Sequence, residues 1–178
     1  MSSSVHPLDK FRFCPVCGSD QWTVNSFKSK HCLACGFTYF ANPSAANVAL
    51  ILNRRDELLV VRRKNEPAKG TLDLPGGFAD IGETAEQGVI REVMEETGLV
   101  VERADYLFCL PNVYRYSGMD IHTLDMFFRC FVSDTSGAIA MDDAEELLWI
   151  PVSDLHPEAF GLHSIREGIT KFKQLLLE

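Results

Sequence analysis

The stretch from Gly77 to Leu99, GFADIGETAEQGVIREVMEETGL, constrains this chain more than any other. It reads as a turn followed by a helix from Glu83 to Thr97. The run has no proline, and Gly98 stands where a helix-ending glycine belongs, with the apolar Leu99 after it. At about 100° per residue the side chains sort onto neighbouring faces. Val89, Ile90, Val93 and Met94 predict an apolar stripe against a core. Glu92, Glu95 and Glu96 fall beside it at i, i+3 and i+4. Like charges at these spacings destabilise an isolated helix by roughly 0.2–0.5 kcal/mol per pair. A hard divalent cation reverses that sign, because Mg²⁺ takes carboxylate oxygens together with phosphate and water. Arg91, beside the glutamates, has the forked geometry that orients a carboxylate. Three glutamates alone would be read as a solvated acidic helix face.

The complete string is more specific. Gly, five residues, Glu, seven residues, then Arg-Glu-apolar-x-Glu-Glu-x-Gly-apolar is the motif of the Nudix hydrolases, and the chain resembles that family at every fixed position: Gly77, Glu83, Arg91, Glu92, Glu95, Glu96, Gly98 and the apolar Val93 and Leu99. The resemblance covers about residues 44 to 178. It implies an α/β fold, an α/β/α sandwich with a mixed sheet. It also implies hydrolysis of a nucleoside diphosphate linked to another group. By the same resemblance Glu92, Glu95 and Glu96 hold Mg²⁺ or Mn²⁺ with the carbonyl of Gly76, Arg91 orients the glutamates, and Glu83 supports the motif loop. A further acid a few positions before Trp149 serves many such chains as a metal ligand or base. Asp143, Glu145 and Glu146 are open for that role, with Glu146 taken as the metal-binding choice. The chemistry agrees independently: diphosphate cleavage needs charge neutralised on phosphate oxygens and a water made nucleophilic near neutral pH, and metal ions do both.

Ahead of this unit, Cys14-Pro-Val-Cys17 and Cys32-Leu-Ala-Cys35 are separated by fourteen residues, and each pair is followed by a glycine, Gly18 and Gly36. Two such knuckles supply four thiolates for structural tetrahedral Zn²⁺ in a small zinc ribbon. Four protein ligands leave no open position for chemistry. The predicted division is residues 1–42 as ribbon and linker and 43–178 as the hydrolase domain. Cys109 and Cys130 lie in apolar, strand-like runs and are expected in the core.

The other elements follow from pattern. AANVALIL (45–52) and LLVVRR (58–63) predict a hairpin. Arg62, in the basic cluster that ends it, is either a solvated strand end or a phosphate contact. Pro75-Gly76-Gly77 forces a turn where backbone approaches a ligand. Residues 100–110 and 126–132 read as strands. The segment 111–125 between them is a loop or hairpin suited to substrate selection. Tyr114 and Tyr116 within it either stack on a base or line a strand face. Residues 145–150 predict a last strand and 163–177 a terminal amphipathic helix.

The 178 residues are 46% hydrophobic and carry a net charge of −8, which argues against a general nucleic-acid or membrane-surface binder. No apolar run reaches the ~18 residues of a membrane span, and the start lacks an apolar signal core, so a cytoplasmic protein is expected. A ribbon ahead of a Nudix domain resembles the NADH pyrophosphatase branch. The Ser-Gln-Pro-Trp marker of that branch is replaced here by Phe108-Cys109-Leu110-Pro111-Asn112. NAD(H), ADP-ribose or a similar derivative is therefore the expected substrate, and homodimerisation is common in the branch. A reading from another class is a nucleotide-sensing module whose ribbon binds nucleic acid or protein. Lys10, Arg12, Lys28 and Lys30 in the ribbon keep nucleic acid open as a partner.

Overall fold

The structure, a computed structural model, describes residues 5–142 and 144–177. By spatial clustering the chain falls into two units. One ends at Pro43 and takes in Arg115–Ile121; the other is Ser44–Tyr114 with His122 onward.

In the first unit the two Cys-x-x-Cys segments fold alike. The N–H of Gly18 donates to the Cys14 carbonyl and that of Gly36 to the Cys32 carbonyl, each at 2.9 Å. Both glycines have a positive φ, 73° and 78°, which a side chain would strain. Strands β1 (Trp22–Ser26), β2 (Ser29–Cys32) and β3 (Thr38–Phe40) form an antiparallel sheet in that order. Its core is small: Cys14, Cys32 and Trp22, with Phe37 stacked on Trp22. The four sulfurs lie within 4.8 Å of one another. Cys14 and Cys35 are 3.7 Å apart, Cys17 and Cys32 3.6 Å. A tetrahedron with Zn–S bonds of 2.3 Å has edges of about 3.8 Å. A disulfide needs about 2.05 Å, and all four cysteines are free. The donor set and its spacing fit zinc.

The second unit contains, in chain order, β4 (Ser44–Ile51), β5 (Glu57–Arg63), β6 (Leu72–Asp73), β7 (Gly76–Phe78), α1 (Ala85–Thr97), β8 (Arg103–Tyr116), β9 (Met119–Phe131), β10 (Ala144–Pro151) and α2 (His163–Leu175). One sheet has the order β7-β4-β9-β8, with β9 parallel to β4 and β7 antiparallel to it. The other is β10-β5-β6, antiparallel throughout. From Asn47 to Ile51 β4 is buried on both faces, as a parallel-paired strand covered on each side should be. Val48 and Leu50 join Phe127 and the α2 residues Ile165, Ile169 and Phe172. Ala49 and Ile51 join Phe128, Cys130 and the α1 residues Val89 and Val93. The result is an α/β/α sandwich with a mixed sheet.

Local differences from the sequence reading have physical causes. Helix α1 starts at Ala85 because Thr84 and Gln87 form a reciprocal capping box, which leaves Glu83 in the loop. Gly98 caps its end at φ 69°. Ile90 and Met94 are 36% and 41% exposed, not core. The buried face of α1 is instead Gly88, Val89, Val93, Glu96 and Thr97. β4 and β5 do not form a hairpin. Apart from one bridge, Leu52 to Leu58, they enter different sheets, because β4 takes β7 and β9 as partners. Residues 111–125 extend the flanking strands into one long β8–β9 hairpin, turned by Ser117 and Gly118, both at positive φ.

Cys109 is exposed and does not join the core; Cys130 is 1% exposed, and burial pushes its thiol up to about 12. Thiolates, not thiols, react. With the ribbon cysteines metal-loaded, an alkylating reagent at mildly alkaline pH should therefore modify Cys109 and spare Cys130. Peptide mass spectrometry reads this out, and equal modification of both would contradict the placement.

Candidate active site

Arg91 organises the acidic helix face. Its guanidinium donates to Glu83 Oε1 at 2.8 Å and Oε2 at 3.2 Å, to Glu92 Oε1 at 2.8 Å, to Glu95 Oε2 at 2.9 Å and to the Phe78 carbonyl at 3.0 Å. One cation thus ties the loop before the helix to two carboxylates on it. The fork geometry makes this possible; a lysine ammonium could not span the same set. The hydrogen bonds from Arg91 hold the Glu83 carboxyl below its usual range, aided by the N–H of Asp80. Burial pushes Glu92 above that range, and Arg91 acts against it.

Glu96 is 8% exposed and accepts from the Gly76 N–H at 3.0 Å. The glycines allow this close approach of loop and helix. A Cβ on Gly77 would sit 2.6 Å from Glu92 Oε1, and one on Gly76 only 2.0 Å from the Asn47 carbonyl. Gly88, within α1, is likewise packed against Asn47 and Glu83.

Part of this set lines a cavity of about 360 Å³, within the range of small-molecule sites. Gly76, Gly77, Glu92, Glu95 and Glu96 all contribute to it. Seven acidic residues and one basic residue, Arg63, make up its charged lining. By itself such a site repels phosphate. The lining carboxylates beside a loop of glycine backbone are hard oxygen donors of the kind a divalent cation takes, and such a cation would invert the local charge; among the described residues their oxygens are not gathered as closely as the four cysteine sulfurs are.

The other residues singled out by sequence divide. Tyr114 lines the cavity, accepts from Arg63 Nη2 at 3.1 Å and meets Phe78 edge-on. Tyr116 is 62% exposed and lies outside the lining. Arg62 is also outside it: Arg62 and Glu146 are cross-strand partners on β5 and β10, and Arg62 Nε donates to Glu146 Oε2 at 3.0 Å. Arg63, one position on, turns to the opposite side and enters the cavity. A basic cluster read as a string does not reveal which of two adjacent arginines faces inward. Glu145 and Glu146 are exposed and do not line the cavity; Asp143 lies outside the described residues. Of Asp142, Glu145 and Glu146, the described acids in the few positions before Trp149, Asp142 is the one that lines it.

Several buried polar residues of the site carried little signal in the sequence. Asp73 is 5% exposed and paired with Arg63; burial raises its pKa, Arg63 opposes this, and the charge of Asp125 adds to it. Asp125, 4% exposed, accepts from Asn112, Thr123 and Ser164. Asn47 is 1% exposed, and its side-chain amide has no partner among the described residues. Thr123, Asp125 and Phe127 alternate along β9, and that period of two was the one available clue.

The NUDIX domain model matches residues 41–171. An ADP-ribose pyrophosphatase of Methanocaldococcus jannaschii is 33% identical over 141 residues, covering 77% of this chain and 79% of that protein. The NAD-capped RNA hydrolase NudC of Klebsiella pneumoniae is 29% identical over 147 residues, covering 81% of this chain; the match spans about half (53%) of that longer protein. Among solved structures, a NUDIX hydrolase from Nitrosomonas europaea aligns with a TM-score of 0.72 at 20% identity, over 92% of this chain and 90% of that one. The NUDIX domain of Shewanella oneidensis NrtR, solved with ADP-ribose, aligns at 0.63 and 22% identity, over 77% and 90%.

Proposed function

Because the chain belongs to the Nudix hydrolase family, we propose that it is a pyrophosphohydrolase that cleaves the diphosphate linkage of a nucleoside diphosphate derivative, with ADP-ribose or NAD(H) as the leading substrates. The observation that carries this reading is the pair Glu92 and Glu95, held by Arg91, which lines the cavity together with Glu96. The similarity to an ADP-ribose pyrophosphatase and to NudC supports the substrate class.

Glu92, Glu95 and Glu96 are the residues that would hold Mg²⁺ or Mn²⁺, with the backbone of Gly76 beside them. Such a cation neutralises charge on the phosphate oxygens and lowers the pKa of a water molecule. The protein's own part is orientation. Arg91 holds Glu92 and Glu95 in place, so they need not reorganise when the diphosphate enters. Glu83 grips both Arg91 and the N–H of Asp80 and so fixes the loop against the helix. Glu96 locks onto Gly76 and ties the helix to β7. A carboxylate of the cavity takes the proton of the attacking water, and Asp142 joins the three glutamates as a residue within the same lining.

The test is a substrate panel with Mg²⁺ or Mn²⁺: ADP-ribose, NADH, NAD⁺, FAD, diadenosine polyphosphates, nucleotide sugars and nucleoside triphosphates. Turnover of ADP-ribose or a dinucleotide well above the triphosphates is expected. Hydrolysis of none of them by metal-loaded protein would remove the hydrolytic reading.

A further inference from the structure

The inner end of the cavity has a geometry that the hydrolytic reading leaves unused. Phe78 on β7, Ala46 on β4 and Asp125 on β9 are register partners in a single row. Directly opposed side chains share a face of the sheet, and two strand spacings put Phe78 and Asp125 about 10 Å apart. All three line the cavity. The floor between them is the single methyl group of Ala46. One wall is aromatic: Phe78 is 43% exposed, with Tyr114 packed edge-on, ring centroids 5.7 Å apart. The opposite wall is polar. Asp125 accepts from Nδ2 of Asn112 at 3.0 Å, from Oγ1 of Thr123 at 2.6 Å and from Oγ of Ser164. Those donors are neutral, and Arg63, the basic residue of the lining, is committed to Asp73 instead.

These bonds set the polarity of the wall. The hydroxyl protons of Thr123 and Ser164 and an amide proton of Asn112 all point at Asp125. A carboxylate has about four lone-pair sites, and these donors occupy three. Asn112, with one N–H engaged on Asp125, offers its carbonyl oxygen and its second N–H. At Asp125 itself the wall presents only acceptors, so there it repels anionic groups and pairs with N–H. An aromatic wall facing it favours a flat ring over a sugar.

We propose that this slot holds the heterocycle of the substrate between Phe78 and Asp125, and selects a ring that presents an N–H donor edge to Asp125 and Asn112. The adenine amino group and the nicotinamide carboxamide share this chemistry. The inference rests on the nucleotide-hydrolase reading for its substrate, and its test is made by binding, so that the two fail separately.

Calorimetric Kd values are measured for two matched pairs: ADP-ribose against its counterpart with unsubstituted purine in place of adenine, which has no N–H on that edge, and NAD⁺ against its nicotinic acid counterpart. Both proteins carry Glu96→Gln to suppress turnover, with and without Asp125→Asn. Asparagine places an N–H where the carboxylate had only acceptors. For the pair whose ring fills the slot, preference for the amino or carboxamide member should fall by about tenfold or more, and the pair that responds identifies the ring. Both ratios unchanged would overturn the proposal. Should Asp125→Asn fail to fold, Ala46→Leu fills the slot floor. It should weaken both members of one pair by a similar factor, and unaltered binding of both pairs would overturn the proposal.

Discussion

Replacing Glu96 by glutamine should lower kcat/KM for the preferred substrate by about 10²–10⁴-fold, the range over which positioned proton-transfer and charge-stabilising groups act. The substitution is a clean one here. Glu96 is 8% exposed, and its Oε2 accepts from the Gly76 N–H. The glutamine amide oxygen keeps that bond and the volume, so the helix and the loop before it stay joined. What is lost is one negative charge among the carboxylates of the cavity. The melting temperature should therefore move little while turnover collapses. Raising the Mg²⁺ or Mn²⁺ concentration should recover part of the loss if the missing charge weakens cation binding. Unchanged kcat/KM in a folded variant would assign Glu96 to loop support alone.

The second large effect concerns the ribbon. Removing metal from Cys14, Cys17, Cys32 and Cys35 should unfold its three-stranded sheet. That sheet has very little core of its own: two of the cysteines, Trp22 and the stacked Phe37. Folding units this small need a metal or disulfides to offset chain entropy, and metal binding free energy in such sites is folding free energy, on the order of 10 kcal/mol. The second unit, Ser44–Tyr114 with His122 onward, has two extensive cores of its own. A strong chelator, or Cys32→Ser, should therefore release one Zn²⁺ per chain and expose the amides of β1–β3 to hydrogen exchange. Amides of β4 and α1 should stay protected. Retained protection in β1–β3 after complete zinc release would show that the metal does not hold the sheet.

No helix among the described residues is long and apolar enough to cross a membrane.

How much was legible in the chain differs between elements. The 77–99 string carried its own helix, its glycine cap and its carboxylate cluster, because all of these are set by spacing within four residues. The Cys-x-x-Cys pairs were legible for the same reason: each knuckle closes on a glycine four residues after its first cysteine. Thr84 and Gln87 also lay in plain view as a capping box, and reading them would have moved the start of α1 from Glu83 to Ala85.

Sequence by itself therefore determined the family, the carboxylate-rich string that marks it and the four-cysteine cluster, since these are local patterns of residue type and spacing. Tertiary structure alone decided which face each strand residue took and which strands became partners. It put Arg63 rather than Arg62 into the cavity, paired Glu146 with Arg62 across β5 and β10, separated β4 from β5, and buried Asp73 and Asp125 at the inner end. The physical reason is the period of two along a strand. Neighbouring residues point to opposite sides, and a one-residue shift in register exchanges inside for outside. Only the pairing of strands distant in sequence settles that choice.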